Sequence, residues 1–212
     1  MADNDMWTIK AALDWTVGFL ERKGDDNPRL SAEWLMSEAT GLSRIELYVN
    51  FEQPLTLDER AVLRDFVARR GKGEPLQLIS GKVPFRYITV LVAPNVLIPR
   101  PETEVLVSEA FAELKLPRVA DHIAAGENGE EVVSPELPEL RVVDLCTGSG
   151  CIACSIASEY PAAHVVALDI APEALALAGK NIAALGLSDR VEVRGSDLLG
   201  ALDHDERVSF DL

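Results

Sequence analysis

The fold is decided by the stretch Val142-Val-Asp-Leu-Cys-Thr-Gly-Ser-Gly-Cys151, in which two β-branched residues lead to an acid and then to a turn with few side chains. This pattern predicts a buried strand, a turn and the start of a helix. Such a turn lets backbone N–H groups and the helix N-terminus approach a polar ligand closely. His164-Val-Val-Ala-Leu168 predicts a second buried strand that ends at Asp169, where a carboxylate can accept both hydroxyls of a ribose.

Strands and helices continue to alternate after Asp169. Residues 172–185 form an amphipathic segment with Pro172 near its start and Gly186 just past its end, which predicts a helix. Residues 190–194 alternate as a third strand, and Ser196 and Asp197 follow it. Short alternating units of this kind predict an α/β fold with a parallel sheet and a ligand site outside the carboxyl ends of its strands.

The glycine turn fits two classes of ligand. A dinucleotide fingerprint requires three glycines, and here Ala153 stands at the third position after Gly148 and Gly150. The acid-x-Gly-x-Gly-x-Gly turn of S-adenosylmethionine enzymes fits better, with Asp144 as the acid and Cys146 in place of the first glycine. A carboxylate attracts the cationic amino group of the methionine moiety, directly or through water, but repels a pyrophosphate. The turn therefore favours a methyl donor, and Asp197 adds an acceptor for an adenine amino group.

Composition limits the class of protein. The chain has 212 residues, of which 48% are hydrophobic, enough for one large domain or two small ones. Its formal net charge of −15 argues against sequence-independent binding to nucleic acid. The acidic N-terminus and the lack of an apolar run of about 20 residues predict a cytoplasmic protein without membrane contact.

The three cysteines, Cys146, Cys151 and Cys154, lie too close together for a disulfide framework and predict reduced thiols. Cys151 and Cys154 have the spacing of a metal or redox pair, but no second pair or His cluster completes a site. We therefore expect them to pack in a helix, and we expect no metal.

The first third of the chain predicts a small helical domain over residues 1–73. Apolar residues recur there at helical spacing, and this pattern predicts that Trp7, Trp15 and Trp34 are core residues. Ser43-Arg-Ile-Glu46 and Thr56-Leu-Asp-Glu59 each fit a capping box at a helix start.

Residues 74–98 turn to a β-rich pattern, which predicts a hairpin connector between two domains. Residues 99–212 predict the N-terminal part of the α/β domain, beginning with a helix from Pro101 to about Leu114. Residues 119–140 are acidic and contain proline and glycine, a composition typical of a surface loop.

Three stretches resemble the bacterial HemK/PrmC family, the protein-glutamine methyltransferases that modify peptide chain release factors. They are Glu74-Pro-Leu-Gln-Leu-Ile-Ser-Gly81, Val96-Leu-Ile-Pro-Arg-Pro-Glu-Thr-Glu-Val-Leu-Val107, and the Asp144–Gly150 turn with Asp169 and Ala174-Leu-x-x-Ala-x-x-Asn181. The resemblance extends over most of the chain. It implies a helical substrate-recognition domain and a β-hairpin ahead of a Rossmann-like, class I S-adenosylmethionine-dependent methyltransferase domain.

The resemblance also implies an activity and a set of binding residues. The activity is methyl transfer from S-adenosyl-L-methionine to the side-chain amide of the glutamine in the Gly-Gly-Gln tripeptide of a release factor, in translation termination. The implied cofactor-binding residues are Asp144, Cys146, Thr147, Gly148, Ser149, Gly150, Asp169, Asp197 and Leu198.

The chain departs from the family pattern at two places. Cys146 replaces a glycine and adds a small side chain where backbone should approach the cofactor. The family's catalytic Asn-Pro-Pro-Tyr would begin a few residues after Leu212, so no catalytic residue is identified in these 212 residues. We interpret the chain as a C-terminally truncated methyltransferase that contains the cofactor half of the site, and expect it to be unstable or self-associating alone.

Two other functions remain open at the level of sequence. One is methylation of adenine N6 in nucleic acid through a similar Asn-Pro-Pro-Tyr clamp, which the acidic charge balance disfavours. The other is a non-catalytic fragment that binds a partner through its helical domain. Basic residues near the end of that domain are either a solvated face or a docking patch for the release factor: Arg60, Arg64, Arg69, Arg70 and Lys72.

Overall fold

The computed structural model describes residues 7–116 and 137–212. The chain divides into two compact units, Met1–Gly81 and Lys82–Leu212. The predicted surface loop at residues 119–140 lies outside the described residues except for its last four positions.

The first unit is helical, as predicted. Its described helices are α1 (Ile9–Arg22), α2 (Pro28–Thr40), α3 (Arg44–Val49), α4 (Leu57–Arg70) and α5 (Leu76–Ser80). Both predicted capping boxes are present: Ser43 and Glu46 bond reciprocally at the start of α3, and Thr56 and Glu59 do so at the start of α4. Each box satisfies N–H groups that have no partner within the helix.

The core of the first unit is formed by aliphatic residues of α1, α2 and α4, including Leu13, Leu35 and Val67. The prediction of three core tryptophans is wrong for Trp15, whose side chain is 48% exposed. Trp15 stacks on Phe19 and meets the edge of Trp7, which packs against the core. The apolar stripe of α1 is thus wider than the face that the core covers.

One carboxylate is buried in the helical unit. Glu33 is fully buried in α2, and it accepts a hydrogen bond from the Tyr48 hydroxyl. The Nε atoms of Arg29 and Arg44 each lie 2.6 Å from one of its oxygens. Burial acts to raise the pKa of Glu33, but the Tyr48 hydroxyl and the two guanidinium groups outweigh it and hold the pKa below the ordinary glutamate value.

The second unit begins with an antiparallel hairpin, β1 (Lys82–Phe85) and β2 (Ile88–Leu91). This hairpin lies within the predicted range 74–98, and α5 precedes it at the end of the first unit. Pro75 precedes α5, and Gly81 ends it in the left-handed conformation that glycine adopts readily.

A series of helices and parallel strands follows the hairpin. The elements are α6 (Pro101–Glu113), β3 (Leu140–Leu145), α7 (Cys151–Glu159), β4 (Ala163–Asp169), α8 (Pro172–Ala184), β5 (Val191–Gly195) and the short α9 (His204–Arg207). The strand order is β3-β4-β5, and all pairs are parallel. This is the predicted α/β arrangement of a Rossmann-like domain.

The last residues of the chain pair with the free edge of β3. The Asp211 N–H donates to the Arg141 carbonyl over 2.7 Å, and the Val143 N–H donates to the Leu212 carbonyl over 2.9 Å. Strand β3 therefore has neighbours on both sides, and the chain reverses its direction of travel across the sheet there. Ligands of open α/β sheets bind at such a switch point, outside the carboxyl ends of the strands.

Arg86 anchors the hairpin to the helices of the second unit. It lies in the turn between β1 and β2, and its Nε and Nη2 atoms each lie 2.6 Å from a different oxygen of Glu159 at the end of α7. Its Nη1 donates to the Glu104 carbonyl over 2.9 Å and to the Ser108 hydroxyl, both in α6. The hydrogen bonds to Glu159 are the main reason that the pKa of Arg86 is raised. One side chain thus joins three elements.

Candidate functional site

The turn between β3 and α7 has the backbone conformation that its glycines permit. Cys146, Gly148 and Gly150 have φ angles of 59°, 58° and 77°. A non-glycine residue in this left-handed region is strained by about 1–2 kcal/mol. A glycine at position 146 would adopt this conformation without strain and would also leave more space for a ligand.

Asp169 lies at the carboxyl end of β4 and faces this turn. Its Oδ2 accepts a hydrogen bond from the Gly148 N–H, and its Oδ1 accepts one from the Ala171 N–H, each over 2.9 Å. A carboxylate has about four acceptor positions, so both oxygens can accept further donors. The structure therefore brings the predicted ribose-binding acid and the glycine turn together.

Asp144 is directed into the turn. It is buried, and its Oδ2 accepts hydrogen bonds from the Thr147 hydroxyl over 2.6 Å and from the Ala153 N–H over 3.2 Å. Burial raises the pKa of the Asp144 carboxyl, although these two hydrogen bonds act to lower it. Asp144 thus stabilises the turn from within, a role that the sequence did not predict. Contact of Asp144 with a cationic ligand stays a prediction.

Gly150 allows α8 to approach the turn. A Cβ at Gly150 would lie 3.1 Å from Cβ and 3.2 Å from Cα of Ala178. Real Cβ atoms rarely approach other atoms this closely, so a side chain here would push the turn away from α8. Gly148 differs, because a Cβ there would lie 3.9 Å from its nearest neighbours, which include Val96 Cγ1.

Ser196, Asp197 and Leu198 follow β5 at the same end of the sheet. The Ser196 N–H donates to the Asp169 carbonyl over 2.9 Å, so the two strand ends are joined. The side chains of Asp197 and Leu198 are exposed. Ile170 is 70% exposed directly after Asp169. Sequence reasoning missed Ile170, although a large apolar residue directly after the candidate ribose-binding acid was a usable signal.

Asn181 ends the motif that begins at Ala174, and the sequence indicated no role for it. It is buried in α8, and it bonds to Leu91 of the hairpin and to Ser149 of the turn. A polar residue on the apolar face of an amphipathic helix was the signal that could have identified it.

The three cysteine thiols differ in their exposure to solvent. Cys146 is exposed in the turn, whereas Cys151 and Cys154 are buried in α7. Burial raises the pKa of the Cys154 thiol to about 12 and also raises that of Cys151. Thiols with raised pKa values are poor nucleophiles and poor metal ligands at neutral pH. Within residues 7–116 and 137–212, no group of three His, Cys, Asp or Glu side chains could hold a metal ion.

The arrangement can accommodate a ligand that combines hydroxyl donors with an apolar ring, as a nucleoside does. Asp169 offers carboxylate acceptors beside a turn in which Gly148 has no side chain, so a ligand can approach the backbone. Ile170 and Leu198 offer apolar surface next to these polar groups. Binding sites typically combine apolar surface with a few placed polar groups in this way.

Two family models match the chain in the same order as its two units. The PrmC N-terminal domain matches residues 11–81, and the Methyltransferase small domain matches residues 127–211. The second match identifies the second unit as a methyltransferase domain, in agreement with its parallel α/β sheet.

Curated relatives match both units together. Proteins named Release factor glutamine methyltransferase are 46% identical over 84% of this chain in Geobacter sulfurreducens and 40% identical over 97% in Rhodopirellula baltica. The one in Chlorobaculum tepidum is 36% identical over 95% of this chain. The chain spans 55%, 64% and 63% of the length of these relatives, respectively. It belongs to the PrmC family, which confirms the resemblance inferred from the three sequence stretches.

A likeness to a solved structure is weaker. The N-terminal domain of human METTL16, solved in complex with SAH, aligns over 77% of this chain and 55% of that chain at 18% identity, with a TM-score of 0.41. In the part of this chain that the structure describes, no helix is long and apolar enough to cross a membrane.

Proposed function

We propose that the protein binds S-adenosylmethionine and takes part in methylating the side-chain amide of the glutamine in the Gly-Gly-Gln tripeptide of a peptide chain release factor. Membership of the PrmC family supports the reaction and the substrate. The observation that carries the cofactor assignment is the Asp169 carboxylate bonded across to the glycine turn, at the switch point of the sheet. Release factors act in translation, so the proposed place of action is the cytoplasm.

In this proposal, the chain's own residues hold the cofactor from three strand ends. Asp169 accepts hydrogen bonds from the ribose hydroxyls, and Asp197 accepts one from the adenine amino group. The backbone of Cys146–Gly150 lies along the methionine moiety, with Asp144 behind it. Ile170 and Leu198 flank the adenine ring. S-adenosylmethionine, when bound, supplies a methyl group on a positively charged sulfur.

The substrate amide sets a second requirement. An amide nitrogen is a weak nucleophile, because its lone pair is delocalised into the carbonyl group. The site must therefore hold the amide with hydrogen-bond acceptors and align its nitrogen with the methyl group and the sulfur. The 212 residues contain no Asn-Pro-Pro-Tyr sequence, and we assign no catalytic residue among them.

Isothermal titration of the chain with S-adenosylmethionine tests the cofactor assignment. We expect Asp169→Asn to weaken binding by about 10- to 100-fold, since a hydrogen bond to a charged group contributes about 1.5–3 kcal/mol. Asp189→Asn makes the same charge change at an exposed position just before the amino end of β5, and it should leave binding unchanged. A folded chain that binds no S-adenosylmethionine, or equal affinities in the two variants, would contradict the proposal.

The helical unit offers a surface for the release factor. Trp7, Trp15, Leu63 and Val67 line a groove of about 210 Å³, and Arg60 and Arg64 of α4 lie beside them. Among the described residues, no carboxylate lies within 4.0 Å of either arginine, in a chain with a net charge of −15. We propose that this groove takes an apolar side chain of the release factor with an acidic residue next to it.

The other arginines of the predicted docking patch have internal partners. Arg69 binds the Glu74 carboxylate at 2.6 Å, and Arg70 binds Asp25 at 2.7 Å. These contacts hold the end of α4 in the fold. Among the five arginines and lysines of the predicted patch, Arg69 and Arg70 are therefore excluded, and of the remaining three, Arg60 and Arg64 line the groove.

Charge reversal tests this patch. Arg64→Glu should weaken binding to a purified Gly-Gly-Gln release factor, and the weakening should shrink at high salt because exposed charges are screened. Lys10→Glu, at an exposed position of α1, is the matched control. Equal affinity of the Arg64 and Lys10 variants at low salt would argue against the groove as the docking surface.

A further inference from the structure

Asn181 uses all of its side-chain groups to join two segments that are far apart in sequence. It is 1% exposed. Its Oδ1 accepts from the Leu91 N–H over 2.6 Å, and its Nδ2 donates to the Leu91 carbonyl over 3.0 Å. Nδ2 also donates to the Ser149 carbonyl over 2.8 Å. Leu91 ends the hairpin, and Ser149 lies in the glycine turn, so one amide fixes the distance between them.

This link has a geometric consequence at the turn. Val96 follows Leu91, the last residue of β2, by five residues, and it lies beside Gly148. A Cβ placed on Gly148 would be 3.9 Å from Val96 Cγ1. The hairpin is held at its other end by Arg86 and Glu159. The segment around Val96 is thus held beside the turn by Asn181 at one end of β2 and by Arg86 at the other.

We propose that Asn181 is a positioning residue for the cofactor site, which sets the segment around Val96 against the glycine turn and so forms the methionine side of the site before ligand binds. The inference rests on the function proposed above. Asn181 acts through Leu91 and Ser149 and does not touch the ligand. Asp169, which binds the ribose in that proposal, accepts from the N–H groups of Gly148 and Ala171 and has no hydrogen bond to Asn181.

The carbonyl that Asn181 holds and the amides that Asp169 holds belong to different residues, and this difference makes the proposal testable. Loss of Asn181 should loosen the methionine side of the site and leave the ribose side in place. S-adenosylmethionine occupies both sides, whereas adenosine occupies the ribose and adenine side alone. A purely structural role for Asn181 would weaken both ligands equally, in proportion to the loss of folded protein.

The experiment compares Asn181→Ala with Ile182→Ala, which removes a buried side chain of the same helix without touching the hairpin link. We expect Asn181→Ala to weaken S-adenosylmethionine about tenfold or more by titration calorimetry and adenosine less than twofold. Ile182→Ala should lower the melting temperature but leave the ratio of the two affinities unchanged. Equal losses for both ligands in Asn181→Ala would overturn the proposal.

Hydrogen exchange of the ligand-free chain gives a readout that does not depend on binding. The Leu91 amide should lose protection in Asn181→Ala and keep it in Ile182→Ala. If Asn181→Ala does not fold, Asn181→Asp keeps the acceptor for Leu91 and removes both donors. Unchanged Leu91 protection in folded Asn181→Ala would refute the link itself, whereas Asn181→Asp, which keeps the acceptor for the Leu91 N–H, is judged by whether it weakens S-adenosylmethionine more than adenosine. A parent chain that binds neither ligand would instead contradict the proposed cofactor function, and the positioning role with it.

Discussion

Replacement of Arg86 by methionine should destabilise the second unit and leave the first unit unchanged. Methionine keeps an apolar stem of similar length but removes the guanidinium group. Glu159, which is 4% exposed, then loses both charge-assisted hydrogen bonds and keeps the one from the Ser155 hydroxyl at 2.6 Å. The Glu104 carbonyl loses a donor as well.

The expected cost follows from the burial of the pair. Removing one partner of a buried ion pair costs about 3–5 kcal/mol, because the other charge stays buried without compensation. Arg86 is 12% exposed and Glu159 keeps one donor, so we expect the lower end, about 3 kcal/mol. In a unit of this size, this corresponds to a fall in Tm of about 10 °C.

The three tryptophans permit the two units to be followed separately. Trp7, Trp15 and Trp34 all lie in the first unit, so their fluorescence reports its unfolding alone. Calorimetry reports both units. We expect Arg86→Met to lower one calorimetric transition and to leave the tryptophan transition unchanged.

A double-mutant cycle with Glu159→Gln isolates the pair. The double variant should be more stable than the sum of the two single losses predicts, because neither member then leaves a buried charge. A loss below about 1 kcal/mol for Arg86→Met, or additive losses in the cycle, would refute the reasoning that this pair anchors the hairpin.

Three further outcomes are expected. Gly150→Ala should lower the free energy of unfolding by about 2–4 kcal/mol, because of the positive φ and the close approach to Ala178, and it should abolish S-adenosylmethionine binding. A melting curve measures the loss of stability and a titration measures the loss of binding. A loss of stability below about 1 kcal/mol would count against the packing argument. Cys146→Gly should tighten S-adenosylmethionine binding severalfold in a titration. The stability of the folded chain should be nearly unchanged, because relief of about 1–2 kcal/mol of backbone strain is offset by the flexibility of glycine in the unfolded chain. Weaker binding would show that the thiol contacts the ligand. Because the pKa of Glu33 is lowered on folding, its ionised carboxylate stabilises the folded chain at pH values above the ordinary glutamate pKa, and this stabilisation is lost as pH falls through the folded-state pKa. Tyr48→Phe should therefore lower Tm at neutral pH and make Tm fall less steeply between roughly pH 5 and pH 3. Parallel curves of Tm against pH for the parent and the variant would argue against the Glu33–Tyr48 contact.

Sequence patterns predicted the elements of this chain where a local signal was complete. The capping boxes at Ser43 and Thr56 and the alternation of strands and helices after Leu140 depend on residues close in sequence. The glycine turn and Asp169 were also recognised, because their spacing follows from a strand, a short helix and a second strand.

Contacts between distant residues could not be predicted in the same way. Asn181 and Leu91 are 90 residues apart, and Arg86 and Glu159 are 73 apart, so no spacing rule relates them. The exposure of Trp15 depends on which part of the α1 stripe the other helices cover. The inward direction of Asp144 depends on the turn, which folds Thr147 back over the carboxylate.

The two hydrogen bonds of Asp169 limit which acid can stand at the end of β4. Its carboxylate reaches Gly148 and Ala171 with the shortest acidic side chain, and each oxygen already holds one backbone amide. A glutamate would carry the same charge on a stem one methylene longer, and its oxygens would lie past both amides. The length of this side chain is therefore as important as its charge, and Asp169→Glu should behave as a loss of the turn's support more than as a conservative change.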